Sequence, residues 1–501
     1  MIAIRIVFVI AVAALACMVD AQLAAELRRA VANAGLGKDG IAGVAVRDAS
    51  TGEIVFETNA DVPLAPASNQ KLLTSAAAVL LLGPDYAFTT EIAATGDGST
   101  LVLRSNGDPA FGDTEVLKEL DPPLTPDDAL DQFAAGAVGA APIGRVAQLV
   151  VDDRVFDREG VHADWPRDQL ERWYCAPVRG VNINSNVLAF YPSPAAGGGG
   201  VVAPIEPHAD WVEVTDRADV VREGRNAVWI QRSETDDAYA IRGSIRTRAQ
   251  SPIEVSLREP SLFTGRLIAE RLANAGVEFA APAPAASVRL AEPNETIDTV
   301  TVLARWTTPL DEVLYRTNHD SMNVHAEALL KTLGRAVTGE QGTWRNGTAV
   351  LRMLIAEKLG PAAVSTTTIR DGSGLSRENR ISAGTLSAWL VRMHADADAQ
   401  AMYRATLPTA EGKLARRFKL GSIDHSVYAK TGTINRVRCL SGYVTNETTG
   451  QTAAFSILLN GLSSGQSIRA ANALHGELVE LIDDHIHEFV IPAVEQPALG
   501  G

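Results

Sequence analysis

The stretch S-V-Y-A-K-T-G-T-I, Ser426 to Ile434, reads as a strand with Lys430-Thr431-Gly432 at its centre. A lysine in mid-strand followed by Thr-Gly is odd for a purely structural strand. Glycine weakens a strand unless something must approach it closely. Chance supplies only about 0.06 of a K-T-G in a chain of this size. Two more strands follow, V-R-C-L-S-G-Y-V (437–444) and Q-T-A-A-F-S-I-L-L-N (451–460). Near the other end, G-I-A-G-V-A-V-R-D-A (40–49) and G-E-I-V-F-E-T (52–58) read as two strands joined by a turn at Ser50-Thr51-Gly52. Strands at both ends with helices between them imply one antiparallel sheet assembled from both ends of the chain, with a middle module inserted.

Two further fragments give the K-T-G strand a chemical meaning. In A-P-A-S-N-Q-K-L-L-T-S-A-A-A-V-L-L-L-G (Ala65–Gly83), Ser68 and Lys71 open an apolar helix-forming run. Residues i and i+3 share a helix face, which puts hydroxyl and amine side by side. Taken alone, this is a serine cap and a snorkelling lysine, and about one S-x-x-K occurs by accident in a chain this long. Ser321-Met322-Asn323, read as the middle of a long helix over 309–331, is also weak alone. The order S-x-x-K, S-x-N, K-T-G is specific, and it resembles the active-site set of the penicillin-binding proteins and serine β-lactamases. A serine hydroxyl needs a base beside it. Lys71 can serve if neutral, which burial and a second cation such as Lys430 favour. The resemblance implies that Ser321 relays a proton to the leaving amine and Asn323 holds Lys71 and the substrate amide. Lys430 and Thr431 bind the terminal carboxylate, the N–H groups of Ser68 and Thr433 form the oxyanion hole, and Gly432 lets substrate lie against the strand.

Bulk properties fit an exported enzyme. The chain has 501 residues, enough for two to four domains. Its net charge of −15 argues against nucleic acid or an anionic membrane as partner. Residues 1–21 read as a signal peptide, with one basic residue, an apolar stretch too short to span a bilayer, and Val19-Asp20-Ala21 as the cleavage site. Export follows, to the periplasm of a two-membrane bacterium. Cys175 and Cys439 then remain; they read as small buried residues, and a bridge between them is left open. Nothing suggests a metal or a cofactor.

Longer segments resemble the D-alanyl-D-alanine carboxypeptidase/endopeptidase family, the class C low-molecular-mass penicillin-binding proteins of the DacB type. They are D-G-S-G-L-S-R (371–377), L-P-T-A-E-G-K-L-A-R-R (407–417), A-K-T-G-T-I-N-R-V-R-C-L-S-G-Y-V (429–444), G-D-P (107–109), V-D-D-R-V-F (151–156) and Y-C-A-P-V-R-G-V-N-I-N-S-N (174–186). The resemblance implies an α+β fold: a penicillin-binding-protein/serine β-lactamase-like domain, an antiparallel sheet flanked by helices, with a large β-rich inserted region. It divides the chain into a split catalytic domain (22–90 plus 296–490), an insert (91–295) of one or two subdomains, and a tail (491–501). A Pro/Ala-rich segment at 280–286 reads as a linker, and the chain from about Thr299 as helical.

The implied activity is hydrolysis of D-Ala-D-Ala termini, and of peptidoglycan cross-links, through a Ser68 acyl-enzyme. Stem peptides are the substrates and β-lactams the covalent inhibitors; a homo-oligomer is compatible. A β-lactamase would need a base that activates water on the acyl-enzyme, and no E-x-x-x-N segment supplies one. A non-catalytic wall-binding protein would not need the complete set. The resemblance also implies that Asp152 (or Asp153), Phe156, Arg377 and Asn435 read a diamino-acid side chain on the substrate. Gly461-Leu462-Ser463-Ser464-Gly465 matches a nucleophile elbow, but the acid and histidine candidates well downstream, Asp483, Asp484, His485 and His487, are clustered on the terminal helix, and the pattern reads as a turn. His485-Ile486-His487 reads as a solvated helix end.

Overall fold

The computed structural model describes residues 21–196, 199–418 and 423–488. The expected signal peptide (save Ala21) and the tail lie outside them. Two compact units divide the chain.

One unit comprises the chain up to Ala76, Leu351–Arg370 and the chain from Arg377 on. Its sheet has the order Ser426–Ile434, Val437–Thr445, Thr452–Asn460, Ile41–Asp48, Ile54–Thr58, antiparallel throughout. Both chain ends build it, as the strand patterns imply. Eight of the nine residues of Thr452–Asn460 are buried, because both faces are covered. Helix 21–33 and helix Gly465–Glu488 place Leu23, Leu27, Leu474 and Leu478 against Val44, Phe455 and Ile457. Helix Ala383–Ala395 packs on the same strands.

The other unit comprises Ala77–Val350 and Asp371–Ser376. Its five-stranded mixed sheet has the order Val288–Leu290, Gln148–Asp152, Thr100–Ser105, Ala87–Thr95, Thr299–Pro309. Smaller sheets form from Glu213–Val220, Ala238–Ile245 and Ala227–Arg232, and from Ile253–Ser256, Val187–Phe190 and Ile205–Glu206.

Three expectations are corrected here. Thr299–Pro309 is an eleven-residue strand, not a helix, and pairs antiparallel with Ala87–Thr95. Its T-V-T-V start carries the β-branched residues that favour a pleated surface. Residues 280–286 are no linker between units. They lead from helix Pro260–Asn274 through a 3₁₀ turn at Pro284–Ser287 into Val288–Leu290, all within one unit. The S-x-N segment clusters with the inserted region rather than with the unit built from the chain ends, because helix Leu310–Asn318 continues directly from the strand that closes the insert's sheet.

Candidate active site

Ser68 lies in a 3₁₀ turn, Ala67–Gln70, that feeds helix Lys71–Leu82. Pro66 precedes the turn and no side chain caps it, so Ser68 is not a capping residue. Its Oγ accepts a hydrogen bond from Lys71 Nζ at 3.2 Å. Lys71 is fully buried and does not snorkel. Both readings of the bland account therefore fail.

The turn is held by the sheet. Asn460 clamps Ala65, its Oδ1 accepting from the backbone N–H at 2.9 Å and its Nδ2 donating to the carbonyl at 3.1 Å. Asn69 donates to Ser441 Oγ at 2.6 Å, and Ser441 donates to Ser456 Oγ at 3.0 Å, an interior neutral relay across two strands. Gly432 explains the K-T-G motif differently from expectation. A Cβ there would fall 2.6 Å from the Pro66 carbonyl oxygen and 3.0 Å from Asn69 Oδ1. The glycine thus lets the strand press on the protein's own serine turn. Lys430 shares that strand face, is 1% exposed, and its Nζ lies 3.2 Å from the Thr431 carbonyl oxygen.

The Thr433 end of this strand holds two cations that the sequence reading passed over. Arg417 donates to Thr433 Oγ1 at 2.5 Å, and Arg438 pairs with Thr433 across the hairpin. Partial desolvation by neighbouring protein lowers both guanidinium pKa values even though the Arg417 side chain reaches solvent, and Arg438 adds to the effect on Arg417. The signal was present in the quoted L-P-T-A-E-G-K-L-A-R-R. Asn435 occupies the hairpin turn beside Arg436, and both Asn435 and Arg377 are exposed.

The S-x-N motif does not sit in mid-helix. The expected long helix is two, Leu310–Asn318 and Asn323–Thr338, and Ser321 lies in the turn between them with φ +64°. Asn323 opens the second helix and donates from Nδ2 to the Tyr174 carbonyl at 2.7 Å. Four residues on, Glu327 accepts from the N–H groups of Gly372 (2.9 Å) and Ser373 (2.8 Å) and from Trp344 Nε1 (2.7 Å). This ties D-G-S-G-L-S to the same helix. Asp164, also passed over, accepts from Ser376 Oγ at 2.9 Å.

Asp152 and Phe156 lie in the insert-based unit. Asp152 is neutralised by Arg154, with bonds of 2.7 and 2.8 Å, in a cavity of about 750 Å³ that Arg335 and Gln341 also line. Arg335 is near the carboxyl end of the helix that Asn323 opens, about 18 Å along its axis at 1.5 Å per residue. Phe156 is fully buried against Gly107 and Gly342, so its ring serves packing. Asp153 pairs with Arg158 at 2.9 Å and is 2% exposed.

Other motifs resolve as structure. Gly461 has φ +76°, and Ser464 and Ser467 cap helix Gly465–Glu488 reciprocally. His485 is buried rather than solvated. Ser185, His325 and Asp113 mimic a nucleophile triad. Serine and aspartate, however, meet the same ring nitrogen, Nε2, at 2.9 and 3.4 Å, and all three residues are buried. Cys175 and Cys439 are free thiols, each pushed up to about 12 by burial. Among the described residues no His, Cys, Asp or Glu cluster could hold a metal, and no helix is long and apolar enough to cross a membrane.

Residues 23–480 match the D-Ala-D-Ala carboxypeptidase 3 (S13) family. The chain belongs to that family. A D-alanyl-D-alanine carboxypeptidase of Actinomadura sp. (strain R39) is 31% identical over 465 residues, covering 88% of this chain and 81% of the relative. The DacB D-alanyl-D-alanine carboxypeptidase of Haemophilus influenzae is 24% identical, covering 84% and 86%. Among solved structures, penicillin-binding protein 4 (dacB) of H. influenzae matches with a TM-score of 0.72 at 22% identity, covering 89% of this chain and 99% of that one. The same protein complexed with a novel β-lactam matches at 0.66 and 20% identity. As an S13 member, the chain is a serine-type D-Ala-D-Ala carboxypeptidase with the α+β fold of the penicillin-binding proteins.

Proposed function

We propose that this S13 carboxypeptidase works through an acyl-enzyme on Ser68. The contact of Ser68 Oγ with the buried Lys71 amine carries the reading, since burial favours the neutral amine that a general base must be. Lys71 takes the Ser68 proton as Oγ attacks the carbonyl carbon of the penultimate D-Ala. The N–H groups of Ser68 and Thr433 hold the oxyanion. Ser321 passes a proton to the departing D-Ala amine, and Asn323 orients Lys71 and the substrate amide. Lys430 and Thr431 bind the terminal carboxylate, and water then releases the product. Arg377 and Asn435, both exposed, contact the stem peptide beyond the scissile bond.

The substrate is peptidoglycan stem peptide, with cross-link cleavage as a second outlet, and the mature enzyme is exported after cleavage at Ala21. Penicillins acylate Ser68 because their strained amide presents the same carbonyl and carboxylate; a β-lactam complex of an H. influenzae relative supports this. Labelled penicillin followed by peptide mapping tests the reading. The expected adduct is on Ser68 and is lost in Ser68→Ala, together with D-Ala release. An adduct elsewhere, or full turnover by Ser68→Ala, overturns it.

A further inference from the structure

The S-x-N turn adopts a conformation its residues do not favour, so something must impose it. Ser321 is left-handed, φ +64°, in the short link between two helices. Arg316, in the last turn of the first helix and 8% exposed, reaches both neighbours of that serine. Its Nη1 donates to Asp320 Oδ2, and its carbonyl accepts the Met322 N–H at 3.0 Å. The other side of the guanidinium is fixed. Nε lies 3.0 Å from Asp113 Oδ1, and Nη2 donates to Asp113 Oδ2 at 3.1 Å.

Asp113 is a hub inside the insert. It accepts from the N–H groups of Glu115 and Val116 and from Ser185 Oγ, and it lies 3.4 Å from Nε2 of His325, two residues past Asn323. Ser185 is delivered by an unusual backbone. Asn184, Ser185 and Asn186 are consecutive left-handed residues with φ +45°, +52° and +58°, all buried. Strain of this kind persists only where the surroundings over-determine it. Here it sits far in sequence from every catalytic motif, and its product is a grip on the two helices that flank Ser321.

We infer that Arg316 and Asp113 are positioning residues that set the S-x-N turn through Asp320. The inference rests on the assignment of Ser321 and Asn323 given above. The competing account is that Arg316 only neutralises a buried aspartate. The two differ in what the Asp320 leg does. That side chain is 22% exposed, and removing it leaves the Arg316–Asp113 pair intact.

The test is the second-order rate of acylation by labelled penicillin, read alongside the fraction of molecules labelled at saturation and the melting temperature. Asp320→Ala should keep full labelling and melt within about 3 °C of wild type. It should nevertheless acylate about 10- to 100-fold more slowly, as a misplaced catalytic group does. Arg316→Lys keeps a cation beside Asp113, but one amine cannot span two carboxylates, so it should be slowed similarly. Acylation by Asp320→Ala at the wild-type rate overturns the brace, as does full rescue by Arg316→Lys. A slow rate explained wholly by an unlabelled fraction also overturns it, because the loss would then be of folding. Ser321→Ala is the reference. If it is slow while Asp320→Ala is fast, the brace fails alone. If Ser321→Ala itself matches wild type, the S-x-N assignment fails and the brace with it.

Discussion

The two motif turns of this molecule solve one problem with different forces. Each contains a non-glycine residue in the left-handed region, Ala67 at φ +46° beside Ser68 and Ser321 at φ +64°. The serine turn is held by uncharged contacts: the Asn460 clamp on Ala65, the Asn69–Ser441–Ser456 relay, and the fit of Gly432 against Pro66. The S-x-N turn is held by a guanidinium shared between two carboxylates. The serine turn lies on a sheet, whose regular ladder offers close backbone and small polar side chains. The S-x-N turn links two helices and has no ladder to lean on, so charge-assisted bonds of longer reach replace shape. Rigid placement of a catalytic group thus follows from whichever force the neighbouring element supplies.

The sharpest way to break the comparison is at its closest contact. Gly432→Ala should force the K-T-G strand off the serine turn, costing about 1–3 kcal/mol of stability from overpacking. It should also slow acylation by about 100-fold. Labelling kinetics and denaturant unfolding measure the two, and an unchanged acylation rate would show that the turn does not depend on that contact. Asn460→Ala removes both bonds to Ala65. A loss of about 1–3 kcal/mol in stability is expected, with about tenfold slower acylation. If stability falls but the rate per labelled molecule does not, the clamp is structural only.

The units also differ in their buried titratable groups. In the insert-based unit, burial raises the Asp108 carboxyl to about 6, and burial with the Asp371 carboxylate raises Glu327 to about 7. A raised acid favours the fold while protonated, so its contribution is complete below the ordinary carboxyl range and is lost as pH rises through the folded value. Buried histidines act oppositely. His475 in the other unit is lowered to about 3, and His325 in the insert-based unit is also lowered by burial. Their contributions are present above the ordinary histidine value of about 6.5 and are lost as pH falls. Between about pH 7 and 8 the histidines are largely neutral both folded and unfolded, while the raised Glu327 carboxyl is still losing its proton. Amide-exchange protection should therefore decline across that interval in strands Thr100–Ser105 and Gln148–Asp152 but not in Val437–Thr445. Glu327→Gln should flatten the difference, and an equal decline in both units would remove the assignment.

The smallest effect concerns Arg417. It is exposed, so its pull on a carboxylate is worth about 0.2–1 kcal/mol. Arg417→Ala should raise KM up to about fivefold for peptides ending in a free carboxylate and leave amidated peptides unchanged. Equal effects on both would place Arg417 outside carboxylate recognition.

Local pattern carried much of this molecule. Alternation and turn residues located all five strands of the sheet built from both chain ends. The motif order and the family resemblance supplied the chemistry. Pattern failed where a short segment was ambiguous: Thr299–Pro309 carries mixed signals, and its pairing with Ala87–Thr95 decided the matter. It failed again at the S-x-N turn, because a good helix-forming run does not reveal that Arg316 will hold a break in it.

The sequence by itself determined which residues are available for acyl transfer and that both chain ends share one sheet, since period and residue type are local properties. Only the tertiary structure decided what Gly432 touches, that Phe156 is buried and Asp152 paired with Arg154, and how Asp113 grips the S-x-N turn. Those facts depend on which distant segments come within hydrogen-bond or van der Waals reach, and no local rule of spacing encodes them.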